Sequence, residues 1–313
     1  MNDIEYLIIS STLDFSTDYV CLEMKERNLK YLRLNRDCFR DYSITYDLEK
    51  SRMSVYLEGN EYLIEKGKLK SVFFRAPVFI RNNKTYPVAD QLYRSQWSSF
   101  IRNLIVFSEA RWLNHPVATY RSENKLLQLE LAKNIGFEVP ETIVSNDTSE
   151  LIDDENYVVK ALDTPLFYEN GMEMFTYSTI ASGREVKKSS LRDAPVIIQK
   201  CLCDKIDYRV TVIGNKIYSA SITKDGKGIE GDWRKTKKED LKYTFSEIPF
   251  IVKSMIFKLM NELGLSFGGV DLAFCDEKFY FIEINPTGEW GWLVSTIGFD
   301  IHKSIVEWMI GEE

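Results

Sequence analysis

The sequence predicts an α/β protein of more than one lobe, opening with an open α/β unit. Three observations carry this. The chain starts as strand, helix, strand. Glycine–asparagine pairs at 59–60 and 214–215 each separate two β-prone runs. Amphipathic helical spacings over 93–112, 122–135 and 248–263 alternate with such runs, a pattern that builds sheets covered by helices. At 313 residues the chain exceeds one simple core, so two or three lobes are expected.

The elements follow in order. YLIIS (6–10) reads as a buried strand, residues 11–17 as a polar loop, 18–27 as a helix and 31–34 as the next strand. Residues 54–57 and 61–64 flank Gly59-Asn60 as a hairpin, and SVFFR (71–75) is a strand stopped by Pro77. The apolar spacing of Trp97, Phe100, Ile101, Leu104 and Ile105 predicts a helix over 93–112. Ser122 is the expected N-cap of a helix ending at Gly136. Strands are expected at 139–144, 157–160, 174–180, 196–199, 208–213 and 216–222, a helix at 248–263 and a last helix at 300–310. These divide into lobes at 1–118, 119–198 and 199–313.

Hydrophobic residues make 44% and charged residues 28%, which excludes wholesale disorder. Forty basic against 47 acidic residues give a net charge of -7, which is no nucleic-acid footprint. The charge is uneven: residues 187–242 hold fourteen Lys/Arg against eight Asp/Glu. A local basic surface points to an anionic ligand, although a solvated helix and loop account for Lys235, Lys237 and Lys238. The five cysteines show no zinc spacing, and Cys201 and Cys203 read as packing residues. With no leader-like opening and no run of membrane-spanning length, a cytoplasmic protein without a membrane partner is expected. Two histidines, His115 before a proline and His302 on the last helix, argue against a histidine triad or a His-rich zinc site.

The chemistry concentrates in GGVDLAFCDEKFYFIEINPTGEWGWL (268–293). Side chains two apart on a strand share a face, so Glu283 and Asn285 point opposite to Ile282 and Ile284. If the two runs pair, Asp271 joins them, and three oxygen ligands on one face suit a hard cation such as Mg²⁺. The plainer reading is two solvated edge positions on a hairpin. Cations precede this trio in order: Lys125, Lys160, Arg209 and Arg234. Lysine and arginine can neutralise a polyphosphate whose metal the carboxylates hold.

Lys125, the V-V-K ending at Lys160, I-I-Q-K-C-L (197–202), D-Y-R-V (207–210), G-V-D-L (269–272) and E-I-N-P (283–286) together resemble the ATP-grasp superfamily over roughly the last two-thirds of the chain. F-F-R-A-P (73–77), D-W-R (232–234), N-P-T-G-E-W-G-W (285–292) and D-x-S-T (14–17) resemble more narrowly the RimK-like maturases of graspetides, peptides of the microviridin and grasp-with-spasm type. The resemblance implies an ATP-grasp fold behind an N-terminal pre-ATP-grasp α/β lobe. It implies ATP and Mg²⁺. Lys125 and Lys160 match lysines that contact the nucleotide, Gln199, Lys200 and Leu202 match the adenine hinge, and Asp204 is the candidate for the ribose hydroxyls. Arg209 and Arg234 match contacts to phosphate or acyl phosphate, and Asp271, Glu283 and Asn285 match the magnesium ligands. The Gly-rich phosphate flap of many superfamily members is missing: between Lys160 and Gln199 there are only Gly171 and Gly183, and the loop at 175–178 must cover the phosphates differently or serve a peptide.

The implied reaction activates Glu or Asp side chains of a ribosomal precursor peptide as acyl phosphates and closes ester or amide macrocycles. The leader of that peptide is expected at residues 163–195, near Phe167, Tyr168 and Tyr177, with Arg184, Lys187 and Lys188 reading an acidic leader. The same aromatics could instead fill a small core. A homodimer is among the expected assemblies. Three other readings stand beside this: a RimK-like ligase for an amino acid or small amine, a kinase-like ATP user, and a nucleotide-binding regulator without turnover.

Overall fold

A computed structural model describes residues 2–76, 87–163, 177–189 and 191–312, together with the backbone of 166–169 and 172–175. The N-terminal lobe is built on a parallel sheet, in the order Tyr31–Asn35, Tyr6–Ser10, Ser71–Phe74, Arg111–Leu113. YLIIS is apolar without alternation because both faces of this sheet are buried. Leu7, Ile9, Val72 and Phe74 face one apolar cluster, which includes Met53, Val55 and Ile64 of a second sheet. That sheet is a meander of Ser43–Asp47, Arg52–Leu57 and Asn60–Glu65, with Asn2–Asp3 added parallel at its edge.

Tyr6, Ile8 and Phe73 face the opposite way, into a cluster with Val20 and Met24 of helix Phe15–Glu26 and Ile301, Ile305 and Met309 of helix Ile301–Ile310. Phe267 and Trp290 belong to the same cluster. The last helix therefore lies on the first sheet, and the two ends of the chain share one core.

A four-stranded antiparallel sheet follows, in the order Thr179–Ser182, Asn156–Lys160, Val196–Lys200, Thr142–Ser145. Leu166–Glu169 and Met172–Phe175 form a separate hairpin. The single strand expected over 174–180 is thus two strands in different sheets. Phe167 and Tyr168 lie in backbone whose side chains are outside the described residues, and Pro77 and Thr176 lie outside the described residues altogether.

A five-stranded antiparallel sheet closes the chain: Leu241–Phe245, Lys216–Lys224, Ile206–Ile213, Phe267–Cys275, Lys278–Asn285. Val210, Val212, Val270, Leu272, Phe281 and Ile284 pack on helices Lys125–Ile135 and Phe250–Leu263. Both helices end at glycines in left-handed backbone, Gly136 (φ 110°) and Gly264 (φ 69°).

Three expectations shift. Ser122 is not an N-cap: it ends a separate helix, Pro116–Ser122, and its hydroxyl donates to Ala118 O (2.7 Å). The helix expected over 93–112 is Val88–Asn103, and residues 111–113 continue the parallel sheet. Cys203 is exposed rather than packed. Among the described residues, no helix is long and apolar enough to cross a membrane.

Candidate active site

Asp271 and Glu283 sit directly opposite each other on the paired strands Phe267–Cys275 and Lys278–Asn285, and Asn285 opposes Gly269. Like charges in that position repel unless cations intervene. They do. Arg209 Nη1 lies 2.9 Å from Asp271 Oδ1, and Arg234 Nη2 lies 2.7 Å from Asp271 Oδ2. Glu283 has Lys125 Nζ at 3.5 Å and Arg234 at 3.7 Å, and it accepts from Asn285 Nδ2 at 3.2 Å. Asp271 and Arg209 are buried, with the Arg209 Nε lacking a hydrogen-bond partner.

The register slips by one residue after Asp271. This bulge breaks the two-residue alternation and turns Ile282 toward the cavity beside Glu283, while Ile284 stays in the core. The expectation that both isoleucines point away from Glu283 is corrected at Ile282.

One cavity joins the central sheet to the last one. Pro140, Val158, Ile180 and Leu202 make an apolar end, flanked by Gln199, Lys200 and Cys201. Lys160, Arg234, Asp271 and Glu283 make the charged end. Lys125, Arg209 and Asn285 stand behind that end, in contact with the two carboxylates. Asp204 does not line the cavity. It is an exposed turn residue in left-handed backbone (φ 49°), and the chain re-enters the wall only at Lys205.

Asp207, Asp232 and Trp233 line the cavity too, and sequence reasoning passed over them. The signal for Asp207 was present: it is two residues before Arg209 on one strand, hence on the same face. Asp232 caps the short turn Trp233–Lys235 by accepting from the Arg234 backbone N–H (3.1 Å), which aims the Arg234 side chain inward.

The electrostatics follow from burial and pairing. Burial opposes the Glu283 charge, but Lys125, Lys160 and Arg234 outweigh it and hold its carboxyl at about 2. Burial pushes Asp271 upward, against the pull of Arg209 and Arg234. Burial likewise lowers Lys160, with Glu283 opposing. Burial works against Arg234 as well, yet Asp271 and Glu283 raise it above its ordinary value. Asp207 is raised from 3.8 to about 6, mainly by burial and despite its contact with Lys205 (2.5 Å).

An acid raised by the fold binds its proton more readily folded than unfolded. The stability that Asp207 contributes is therefore full below 3.8 and falls as pH rises through 3.8 to about 6. Asp207→Asn removes that loss. Urea unfolding near pH 4 and near pH 8 should show the variant gaining on wild type by ~3 kcal/mol at the higher pH. Parallel pH dependences would place Asp207 in contact with solvent.

The basic stretch expected to read a leader carries ion pairs at the surface. Arg184 pairs with Asp153 (3.7 Å) and Asp154 (2.9 Å), and Lys187 with Asp153 (2.8 Å). These acidic partners lie in the loop before strand Asn156–Lys160, and the pairs are exposed to solvent.

Two carboxylates and an amide supply hard oxygen donors, the chemistry of a Mg²⁺ site, and four cations around them suit phosphate oxygens. Among the described residues, no cluster of three or more His, Cys, Asp or Glu forms a metal site of another kind. Comparison with known proteins agrees with this fold. A 20% identical structure, the macrocyclase MdnC of Microcystis aeruginosa MRC bound with precursor peptide MdnA, superposes with a TM-score of 0.83 over 98% of this chain and 100% of that one. The Chryseobacterium gregarium RiPP-associated ATP-grasp ligase, in complex with ADP and a leader and core peptide, is 24% identical, with a TM-score of 0.85 over 100% of this chain and 98% of that chain. A probable alpha-L-glutamate ligase of Klebsiella pneumoniae (strain 342) is 26% identical over 210 residues, 63% of this chain and 66% of that protein. The aligned region thus spans just under two thirds of that relative's length. The model of the RimK-like ATP-grasp domain matches residues 122–309, and the chain belongs to that family.

Proposed function

We propose that this chain is an ATP- and Mg²⁺-dependent ligase that activates Glu or Asp side chains of a ribosomal precursor peptide and closes them onto hydroxyl or amine side chains of the same peptide. The observation that supports this most is the cavity itself: an apolar slot at one end, and at the other a facing carboxylate pair ringed by Lys125, Lys160, Arg209 and Arg234.

In this reading the slot between Val158, Ile180 and Leu202 takes adenine, with the 199–202 hinge along its edge. Asp271, Glu283 and Asn285 would hold Mg²⁺, which when bound would offset phosphate charge. Lys160 and Arg234 offset charge on the γ-phosphoryl group and then on the acyl phosphate. Transfer of that group to a peptide carboxylate breaks the β–γ phosphoanhydride bond, releases ADP, and turns a poor acylating agent into one whose leaving group is phosphate. A hydroxyl or amine then attacks, and the bond forms with release of phosphate. The protein needs no nucleophile of its own, only positioning and charge. Neither histidine serves: His115 caps helix Pro116–Ser122, and His302 packs beside Tyr19. The walls come from the lobes assigned to 119–198 and 199–313, and the leader is assigned to 163–195, with Arg184, Lys187 and Lys188 meeting it.

The likeness along the whole chain to ligases crystallised with precursor peptides favours a peptide substrate. The glutamate-ligase relative supports a second reading, joining of an amino acid to a carboxylate. Mass spectrometry of a Thr-, Glu- and Asp-rich precursor incubated with ATP and Mg²⁺ decides between them. Loss of one water per bond formed is expected. Gain of an amino-acid residue would establish the second reading, gain of phosphate would mean a kinase, and unchanged mass with no ATP consumed would overturn both.

A further inference from the structure

We infer that Arg75, in the N-terminal lobe, is a positioning residue for the loop that begins at Asn285, and that through Glu289 it sets how well the carboxylate site retains its cation. The identity of that cation rests on the proposed function; the linkage itself rests on geometry.

Arg75 follows strand Ser71–Phe74, and its backbone N–H donates to Ile9 O (2.8 Å), which continues the sheet ladder. Its side chain is 3% exposed. Nε donates to Asp14 Oδ2 (2.5 Å), Nη2 to Glu289 Oε1 (2.8 Å), and Nη1 to Gly288 O (3.4 Å). Asp14 is itself fixed, accepting from Ser10 Oγ (2.9 Å) and from the Thr17 N–H (3.3 Å). One rigid, planar fork therefore ties the loop ahead of the first helix to the loop behind the last strand. A lysine, a single point charge, cannot span three such acceptors.

The far side of the loop is tied as well. Ser16 Oγ donates to Glu289 Oε2 (2.5 Å) and accepts from the Gly291 N–H (3.0 Å). A Cβ on Gly291 would meet Ser16 Oγ at 2.7 Å, so the approach requires glycine. Residues 288, 289 and 291 are thus all bonded to the N-terminal lobe.

Movement of this loop reaches the site directly. The Gly288 N–H donates to Asn285 O (3.1 Å), and a Cβ on Gly288 would lie 3.3 Å from Asn285 Cβ and 3.4 Å from Gly269 Cα. Asn114, fully buried, donates to Pro286 O (3.0 Å) and fixes the step between them. Releasing residues 288–291 frees the amide of Asn285 from its place beside Glu283.

Glu289 is the informative position, because its side chain is 59% exposed and its loss leaves Arg75 paired with Asp14. The test uses the full chain with Glu289→Ala and Arg75→Lys. Two readouts are taken: amide hydrogen exchange of 285–291 without metal, and Mn²⁺ binding by electron paramagnetic resonance with ADP present. In both variants, exchange at 288 and 291 should rise about tenfold, and the Mn²⁺ dissociation constant should rise about tenfold, the lower end for residues that orient a ligand. Metal-free ADP affinity should stay within about twofold, a split that a general loss of fold would not give. Folded variants that hold Mn²⁺ as wild type does would overturn the inference, as would unchanged exchange. If Arg75→Lys unfolds, Glu289→Ala alone decides. Wild-type protein that binds no Mn²⁺ with nucleotide would sink the proposed function instead, and the exchange data would still show whether Arg75 and Glu289 fix the loop.

Discussion

Glu283→Gln is expected to lower ATP turnover at limiting Mg²⁺ by about 100-fold or more, since even residues that only orient metal ligands cost 10–100-fold. The substitution keeps side-chain volume and leaves the Asn285 contact geometrically open. It removes the charge that Lys125, Lys160 and Arg234 together hold ionised. With a neutral amide opposite it, Asp271 loses its like-charge neighbour and stays with Arg209 and Arg234. The fold should therefore survive, and circular dichroism should match wild type. Excess Mg²⁺ should restore part of the rate, because the remaining oxygens still bind weakly. Turnover at the wild-type rate across a Mg²⁺ titration would remove Glu283 from the metal site and return the carboxylate pair to a structural role.

That the carboxylates could share a face was legible because strand chemistry is local, whereas their register was not. Ile alternating with Glu283 and Asn285 puts those two oxygens on one face, and Asp271 joins them only if the two runs pair, as they do. The bulge after Asp271 was not legible, since it depends on how two strands fit and not on either alone. Asp204 rested on the resemblance alone, whereas strand periodicity favours Asp207, which reaches the wall. Gln128 and Asn114 were missed for a different reason. Each is a buried amide that bonds backbone. Gln128 donates to Ile284 O (2.9 Å) and accepts from the Ile284 N–H (2.9 Å), so it acts as one more strand along the outer edge of Lys278–Asn285. Asn114 does the same for Phe267. An amide serving a distant backbone leaves no pattern in its own neighbourhood. The docking of helix Ile301–Ile310 on the first sheet is hidden likewise: its amphipathic spacing shows that one face is buried, but not against what.

Arg209 and Arg234 bond the same carboxylate, yet their substitution should fail in different ways. Arg209 sits mid-strand with its side chain 6% exposed, opposite Asp271 in register. Arg209→Met leaves a buried carboxylate with one partner fewer, and breaking such a pair costs roughly 3–5 kcal/mol. Urea unfolding should register that loss directly. Arg234 projects from the short turn Trp233–Lys235 with its side chain 35% exposed, stacked on Trp233 at 5.0 Å. Water can reach the space it vacates, so Arg234→Ala should destabilise less than Arg209→Met. What it removes is a preorganised cation aimed at the charged end of the cavity, an effect of about 10²–10³ in kcat. Nucleotide affinity should change little by comparison, because the apolar slot is untouched. Parallel urea curves for the two variants, with turnover losses that track the unfolded fraction, would mean that Arg234 is a structural ion-pair partner and that the acyl phosphate must be held by Lys160 and Arg209 alone.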